Sequence, residues 1–371
     1  MKKLLSLILA GALAISIIGC AGEANNGGDK TEGDKGDSTS KGYELALITD
    51  VGTIDDRSFN QGAWEGLEEY AKENDITHKY YQPEEKTDQA YLETIELAVE
   101  NGAKAIVCPG YLFEKSVFEA QTLFPEVSFI ILDGYPHNGD YNMVIKENVY
   151  SVFYAEEQAG FLAGYAAVKE GYTKLGFMGG MAVPAVVRFG YGFVEGAEYA
   201  AKEMGISDIE VKYNYTGGFD ATPEAQATAA SWYQSGTEVI FGCGGAVGNS
   251  VMAAAEAAEG DKFVIGVDVD QSGESKTVIT SSMKMLSNSV YDGLKAFYDG
   301  SFPGGQSVSL DAKVQGVGLP MENSKFQKFT QTDYDAIYNK LVAGEIEIAK
   351  DDVKSVEDIE LTVVKVELIG K

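Results

Sequence analysis

Short apolar runs alternate with stretches of helical period along most of the chain, an order that predicts βαβα units and parallel sheets. Strands are expected at Leu45–Thr49, His78–Tyr81, Ala105–Cys108 and Phe129–Asp133. A second set is expected at Leu175–Met178, Val211–Tyr215, Val239–Cys243 and Phe263–Asp268. Helices fit between them at Gln61–Asn74, Gln89–Asn101, Pro223–Ser235 and Ala246–Ala258. Ser58 and Gln61 have capping-box spacing, which puts Phe59 and Asn60 in the first helical turn. The two sets resemble each other: the stretch from Asn101 to Gly110 parallels Ser235 to Gly244, each with a helix stopping at Gly before an apolar strand. Phe129–Asp133 and Phe263–Asp268 then each give an apolar strand ending in Asp. One α/β unit used twice predicts two lobes with a cleft between them. A long helical stretch, Val152–Glu170, is expected at the first crossing between lobes. The run Val278–Met283 followed by a helix over Leu286–Asp299 is expected to return the chain to the first lobe, and Ile359–Ile369 alternates with period two like an edge strand.

The extreme N-terminus breaks this pattern. Lys2 and Lys3 precede an apolar run, Leu4 to Ile18, that is too short for a comfortable membrane span and reads as a secretory leader. The sequence Ile17-Ile18-Gly19-Cys20 resembles a bacterial lipobox, which implies cleavage before Cys20 and lipidation there. Two or more acyl chains anchor stably, at about 0.8 kcal/mol per buried methylene. From Ala21 to Gly42 there is no aromatic and no large aliphatic residue, so this segment is expected to be a flexible tether. The resulting map has a leader at 1–19, a lipidated tether at 20–42, a first lobe from 43–150 plus about 285–315, and a second lobe from 151–284 plus about 316–371.

Composition narrows the function. The formal charge of −28 becomes more negative once Lys2 and Lys3 leave with the leader. Such a surface repels nucleic acid and anionic lipid, so no nucleic-acid partner is expected and only the lipid would hold the protein at a membrane. Cys108 and Cys243 each end an apolar run and are expected to be buried thiols without a bridge. The two histidines, His78 and His137, lack any metal-binding spacing or GxSxG elbow nearby, so neither a metal, a cofactor nor a hydrolytic triad is expected.

In open α/β sheets, ligands sit at the carboxyl ends of strands. Asp50, Asp133 and Asp268 with Asp270 fall there, and Phe59, Tyr111, Phe113, Tyr135, Phe189 and Phe219 crowd the same loops. Carboxylates accept hydrogen bonds from hydroxyl or amino groups and aromatic faces stack on flat rings, a combination suited to a neutral polar ligand with a planar ring. An anionic ligand would need Arg188 or Lys284. Asp55 and Asp56 are expected to be solvated turn residues, and the glycines from Gly242 to Gly248 to let backbone approach a ligand.

The segment from Asp50 to Gln61 (DVGTIDDRSFNQ), with Trp64 and Gly66, resembles the opening motif of the basic membrane protein family, which includes purine nucleoside receptor lipoproteins of ABC importers. Gly179-Gly180, Pro184, Arg188-Phe189, Gly236 to Gly248, Ile265 to Gln271 and Thr280 to Lys284 extend the likeness in order, as far as about Tyr291. The resemblance implies a type I periplasmic-binding-protein fold: two doubly wound parallel-sheet lobes of α/β class, joined by three crossovers and closing on a ligand. By the same resemblance Asp50, Phe59, Asn60 and Asp133 would bind from the first lobe. Phe189 or Phe219 would supply a second ring, Gly245 a backbone contact, Asp268 the ribose carboxylate and Lys284 its partner. This chain departs from the family pattern at Cys243-Gly244-Gly245-Ala246 and at Tyr215 to Phe219, which bears on base preference.

The expected function is therefore extracytoplasmic capture of a nucleoside, a purine one, by a lipid-anchored, monomeric, non-enzymatic binding protein that delivers it to ABC permease and ATPase subunits. The alternative is a receptor for a sugar or sugar-like signal. A secreted nucleoside hydrolase or reductase would need an Asp cluster or dinucleotide loop that the chain lacks.

Overall fold

A computed structural model describes residues 42–370; the leader, Cys20 and the tether up to Lys41 lie outside the described residues. The strands are Leu45–Ile48 (β1), His78–Tyr81 (β2), Ala105–Pro109 (β3), Ser128–Leu132 (β4), Val149–Tyr154 (β5), Lys174–Gly179 (β6) and Ile209–Tyr215 (β7). They continue with Val239–Cys243 (β8), Phe263–Asp268 (β9), Val278–Lys284 (β10), Gln306–Leu310 (β11), Val317–Gly318 (β12) and Val364–Leu368 (β13). The helices are Phe59–Glu73 (α1), Asp88–Glu100 (α2), Glu114–Leu123 (α3), Glu156–Glu170 (α4), Pro184–Met204 (α5), Pro223–Gln234 (α6), Val247–Ala257 (α7), Leu286–Tyr298 (α8) and Gln331–Ala343 (α9).

The strands form two sheets, in the order β11-β5-β4-β3-β1-β2 and β12-β10-β9-β8-β6-β7-β13. Every pairing is parallel except β10 with β12. Helices cover both faces of each sheet, so strand residues of either parity are buried. In β1, Leu45 and Leu47 enter one apolar cluster while Ala46 and Ile48 enter another; β8 splits Val239 and Phe241 from Ile240 in the same way. The repeated unit is visible in its caps. Thr87 caps α2 and Thr222 caps α6, each through the N–H three residues on, and Gly102 and Gly236 stop these helices with φ of 95° and 107°.

The chain passes between the sheets three times, after β5, after β10 and after β11. These crossings lie side by side: Ala155 N–H donates to Leu310 O (3.1 Å), Met285 N–H to Gly316 O (3.0 Å), and Ala312 N–H to Gln158 Oε1 (2.9 Å). The helix expected over Val152–Glu170 begins later, because Val149–Tyr154 is a strand of the first sheet. Its run of β-branched and aromatic residues passes into α4 with no Gly or Pro between them, which hides the boundary. Beyond the second crossing α8 packs on α1, and the tail ends as edge strand β13 beside β7.

Helices α4 and α5 meet backbone to backbone. A Cβ at Gly192 would lie 1.9 Å from Glu157 O, at Gly196 2.0 Å from Phe161 O, at Gly160 2.1 Å from Phe189 O, and at Gly164 2.0 Å from Phe193 O. Glycines from both helices therefore set the spacing, each seating a carbonyl of the other.

Candidate functional site

The carboxyl ends of both sheets face the crossings, and most of the sequence-expected residues collect there. Asp133 follows β4 and Asp268 ends β9, the equivalent positions of the two repeats. Both hold the left-handed backbone, with φ of 53° and 66°, which turns each strand end sharply into its loop. Lys284, the last residue of β10, is 2 % exposed and donates to Asp133 Oδ2 across the lobes. Its ammonium also lies 3.1 Å from Glu156 Oε1, and 4.9, 5.3 and 5.5 Å from the ring centroids of Phe59, Tyr154 and Phe189.

One ammonium thus faces several carboxylates in a buried space. Burial opposes the charge on Lys284, but Asp133, Glu156 and Asp268 outweigh it and hold its pKa above the usual lysine range. Burial, helped by the Glu156 charge and opposed by Lys284, pushes Asp133 up to about 7. Asp268 is also raised by burial, with Lys284 and Ser58 opposing. Asp133 Oδ1 is buried without a hydrogen-bond partner, an acceptor that a ligand donor could satisfy.

Asp50 and Asn60 form a second group. Asn60 Nδ2 donates to Asp50 Oδ1 (2.9 Å) and to Asp56 Oδ2 (2.9 Å), and Gly52 N–H donates to Asp50 Oδ1 (3.0 Å). Burial raises Asp50 against these donors. Gly110, at φ 116°, passes so close that a Cβ there would stand 3.2 Å from Asp50 Oδ2.

Phe219 and Gly245 form a third group on the loops of the second sheet. A Cβ at Gly180 would meet the Phe219 ring at 2.5 Å and one at Gly244 at 2.9 Å, so both glycines are needed to seat the ring. Ala246 N–H donates to Phe219 O (2.8 Å), and a Cβ at Gly245 would lie 2.8 Å from that oxygen. Phe219 is partly exposed, whereas Phe189 is a core ring set edge-on to Phe241 at 5.9 Å and 89°. Of the two candidates for a second stacking ring, the structure leaves Phe219 accessible and buries Phe189.

Ser58 does not cap α1, and Asp56 is not a solvated turn residue. Asp56 is buried and accepts the N–H groups of Ser58 (2.8 Å), Asn60 (3.0 Å) and Gln61 (3.1 Å). A carboxylate has two acceptor oxygens and the helix N-terminus favours its charge, so it displaces the hydroxyl; caps of this kind contribute about 0.5–2 kcal/mol. Ser58 Oγ is thereby free to donate to Asp268 Oδ2 in the other lobe. Beside it Gln271 Nε2 donates to Arg57 O (2.6 Å) and Arg57 pairs with Glu274 (2.8 Å). Asp55, by contrast, is exposed.

Glu156 escaped the sequence reading. It is fully buried in the first turn of α4, and the acidic pair Glu156-Glu157 ahead of the apolar stretch Ala159–Val168 was its only signal. Arg188 is spent on carboxylates, forking onto Asp351 at 2.9 Å through both Nε and Nη2 and reaching Glu156 Oε2 at 3.3 Å. With Lys284 also spent, neither cation is free for an anionic ligand. Cys108 and Cys243 are free and buried, and burial pushes both thiols up. Among the described residues no group of His, Cys, Asp and Glu could hold a metal, and no helix is long and apolar enough to cross a membrane.

Residues 43–352 match the Bmp family model, described as ABC transporter substrate-binding protein PnrA-like. The chain is 34 % identical over 337 residues to the ABC transporter nucleoside-binding protein BmpA of Lactococcus lactis, covering 84 % of this chain and 92 % of that protein. It is 31 % identical over 293 residues to basic membrane protein B of Borreliella burgdorferi, covering 77 % and 83 %. Among solved structures, an ABC transporter solute-binding protein from Aeropyrum pernix superposes with a TM-score of 0.70 at 24 % identity, over 84 % of this chain and 94 % of that one. A sugar-binding protein of an ABC transporter from Bacillus halodurans shares the fold with a TM-score of 0.53 at 15 % identity, over 79 % and 99 %.

Proposed function

Since the chain belongs to the Bmp family of PnrA-like ABC transporter substrate-binding proteins, we propose that its ligand is a nucleoside, and a purine nucleoside in particular. The carrying observation is the buried Lys284–Asp133–Asp268 group, with an unpartnered Asp133 oxygen, at the ends of both sheets and beside Phe59. Hydroxyls of a ribose would donate to these carboxylates, and a flat base would lie against Phe59 and Phe219. Carboxylates outnumber free cations here, which disfavours a phosphorylated ligand. The nucleoside-binding name of the Lactococcus lactis relative supports the same reading. Capture would proceed by closure of the two lobes about the three crossings, with no chemical step. We further propose that the monomer is lipidated on Cys20, faces the outside of the membrane and hands its ligand to ABC permease and ATPase subunits.

Isothermal titration with inosine, guanosine and adenosine, and with ribose and galactose as controls, tests the ligand. Nucleosides are expected to bind and free sugars not to. Tight binding of a sugar with no response to any nucleoside would replace the assignment with a sugar receptor. The anchor has its own test: expressed in a bacterial host, the full chain should partition into a detergent phase, and the Cys20→Ala chain should not. Equal partitioning of both would remove the lipid from the account.

A further inference from the structure

Five side chains of alternating charge run in a line from one lobe, through the hinge, to the C-terminal segment. Asp133 at the end of β4 holds Lys284 at the end of β10, and Lys284 lies 3.1 Å from Glu156 Oε1. Glu156 Oε2 lies 3.3 Å from Arg188 Nη1 on α5, and Arg188 forks onto Asp351 beyond α9. Glu156 is one residue past the first crossing and Lys284 one residue before the second, so both are fixed by backbone at the hinge itself. Glu156 Oε1 makes no aligned hydrogen bond, so its hold on Lys284 is electrostatic.

We propose that Glu156 and Arg188 are positioning residues for ligand capture: Arg188 holds Glu156 back from Lys284, so that the ammonium stays on Asp133 and Asp133 stays a competent acceptor. The inference rests on the nucleoside reading only in that the ligand donates to Asp133. Asp351, more than half exposed and outside the site, supplies the far anchor of the line. The groups facing Asp133 are Lys284 from β10, Glu156 from α4, Asp268 from β9 and the Tyr154 hydroxyl from β5. Only Lys284 favours its ionised form; the two carboxylates disfavour it. Removing the Glu156 charge therefore lets Asp133 ionise at lower pH. Removing the Arg188 charge leaves Glu156 less compensated and pushes Asp133 to ionise at higher pH.

The experiment is inosine titration from about pH 5.5 to about pH 8.5 for wild type, Glu156→Gln, Arg188→Gln and Glu156→Asp. Wild-type affinity should fall as pH drops through about 7, where Asp133 takes up its proton. The midpoint of that fall should move down by about one pH unit in Glu156→Gln and up in Arg188→Gln, with Glu156→Asp restoring the wild-type position. A purely structural role would weaken binding equally at every pH, and that result, or shifts of the same sign in both variants, overturns the proposal. If wild type binds no nucleoside at any pH, the ligand reading fails instead. The urea midpoint followed over the same pH range then reads Asp133 without ligand, and unshifted profiles there overturn the positioning roles as well.

Discussion

Lys284→Met is expected to weaken nucleoside binding at least about 100-fold and to lower stability by about 3–5 kcal/mol. Methionine keeps the length and apolar stem of lysine, so the loss isolates the charge. Without the ammonium, Asp133 and Asp268 lose their only nearby cation, Glu156 keeps only Arg188, and Phe59, Tyr154 and Phe189 lose the cation they surround. The carboxylates respond by holding protons. Burial already raises Asp133 to about 7 and removal of Lys284 raises it further. An acid whose folded-state pKa exceeds its unfolded value binds more protons when folded, so stability falls as pH rises between the two values. The deficit of Lys284→Met against wild type should therefore widen from about pH 5 to about pH 8. Urea unfolding at both ends of that range measures it. Equal unfolding midpoints for variant and wild type at the alkaline end would show that the ammonium is not what offsets the buried carboxylates.

Gly192→Ala tests the α4–α5 contact, and the expected sign is opposite to helix propensity. In an ordinary helix interior this change stabilises by about 0.5–1 kcal/mol. Here the new Cβ would meet Glu157 O at 1.9 Å and Phe161 N at 2.8 Å, both backbone atoms that no rotamer change can move aside. Overpacking costs of about 1–3 kcal/mol apply, and at this distance the upper end is expected, for a net loss of about 2 kcal/mol. The displaced carbonyl belongs to the residue after Glu156, so ligand affinity should drop with stability. Thermal unfolding and inosine titration of the same sample check both. A variant as stable as wild type would mean that α4 and α5 can separate freely.

Much of the framework was legible because burial on both faces of a parallel sheet writes each strand as a short apolar run. The residues of β2, β8 and β9 fall where the runs place them, and α2 and α6 lie within one residue of their expected spans. The repeat located Asp133 and Asp268 at strand ends, where left-handed backbone confirms that the turn begins. What stayed hidden depended on contacts between distant segments. Asp56 takes the cap of α1, and the hydroxyl of Ser58 goes to Asp268, a partner more than two hundred residues on that no local pattern announces. Glu156 drew no notice in sequence, because only the fold brings Lys284 and Arg188 against it. Phe189 and Phe219 carried equal weight in sequence; in the fold Phe189 packs on Phe241 beside Lys284, and Phe219 stands partly exposed on the glycine loops. The strand Val149–Tyr154 was lost because a β-run fused to a helix has no punctuation.

The three adjacent crossings have a consequence for how the molecule is made. The first sheet lacks β11 and the helix α8 that packs on α1 until the chain has been synthesised past Leu310, and the second gains its outer strand β13 only near the C-terminus. Neither lobe is a contiguous stretch of chain: the first sheet closes once β11 has been made, and the second only when β12 and β13 follow. Completion of both sheets only late in synthesis follows from this layout. So does the impossibility of cutting one lobe free as a simple fragment: truncation before about residue 310 removes an edge from both sheets at once.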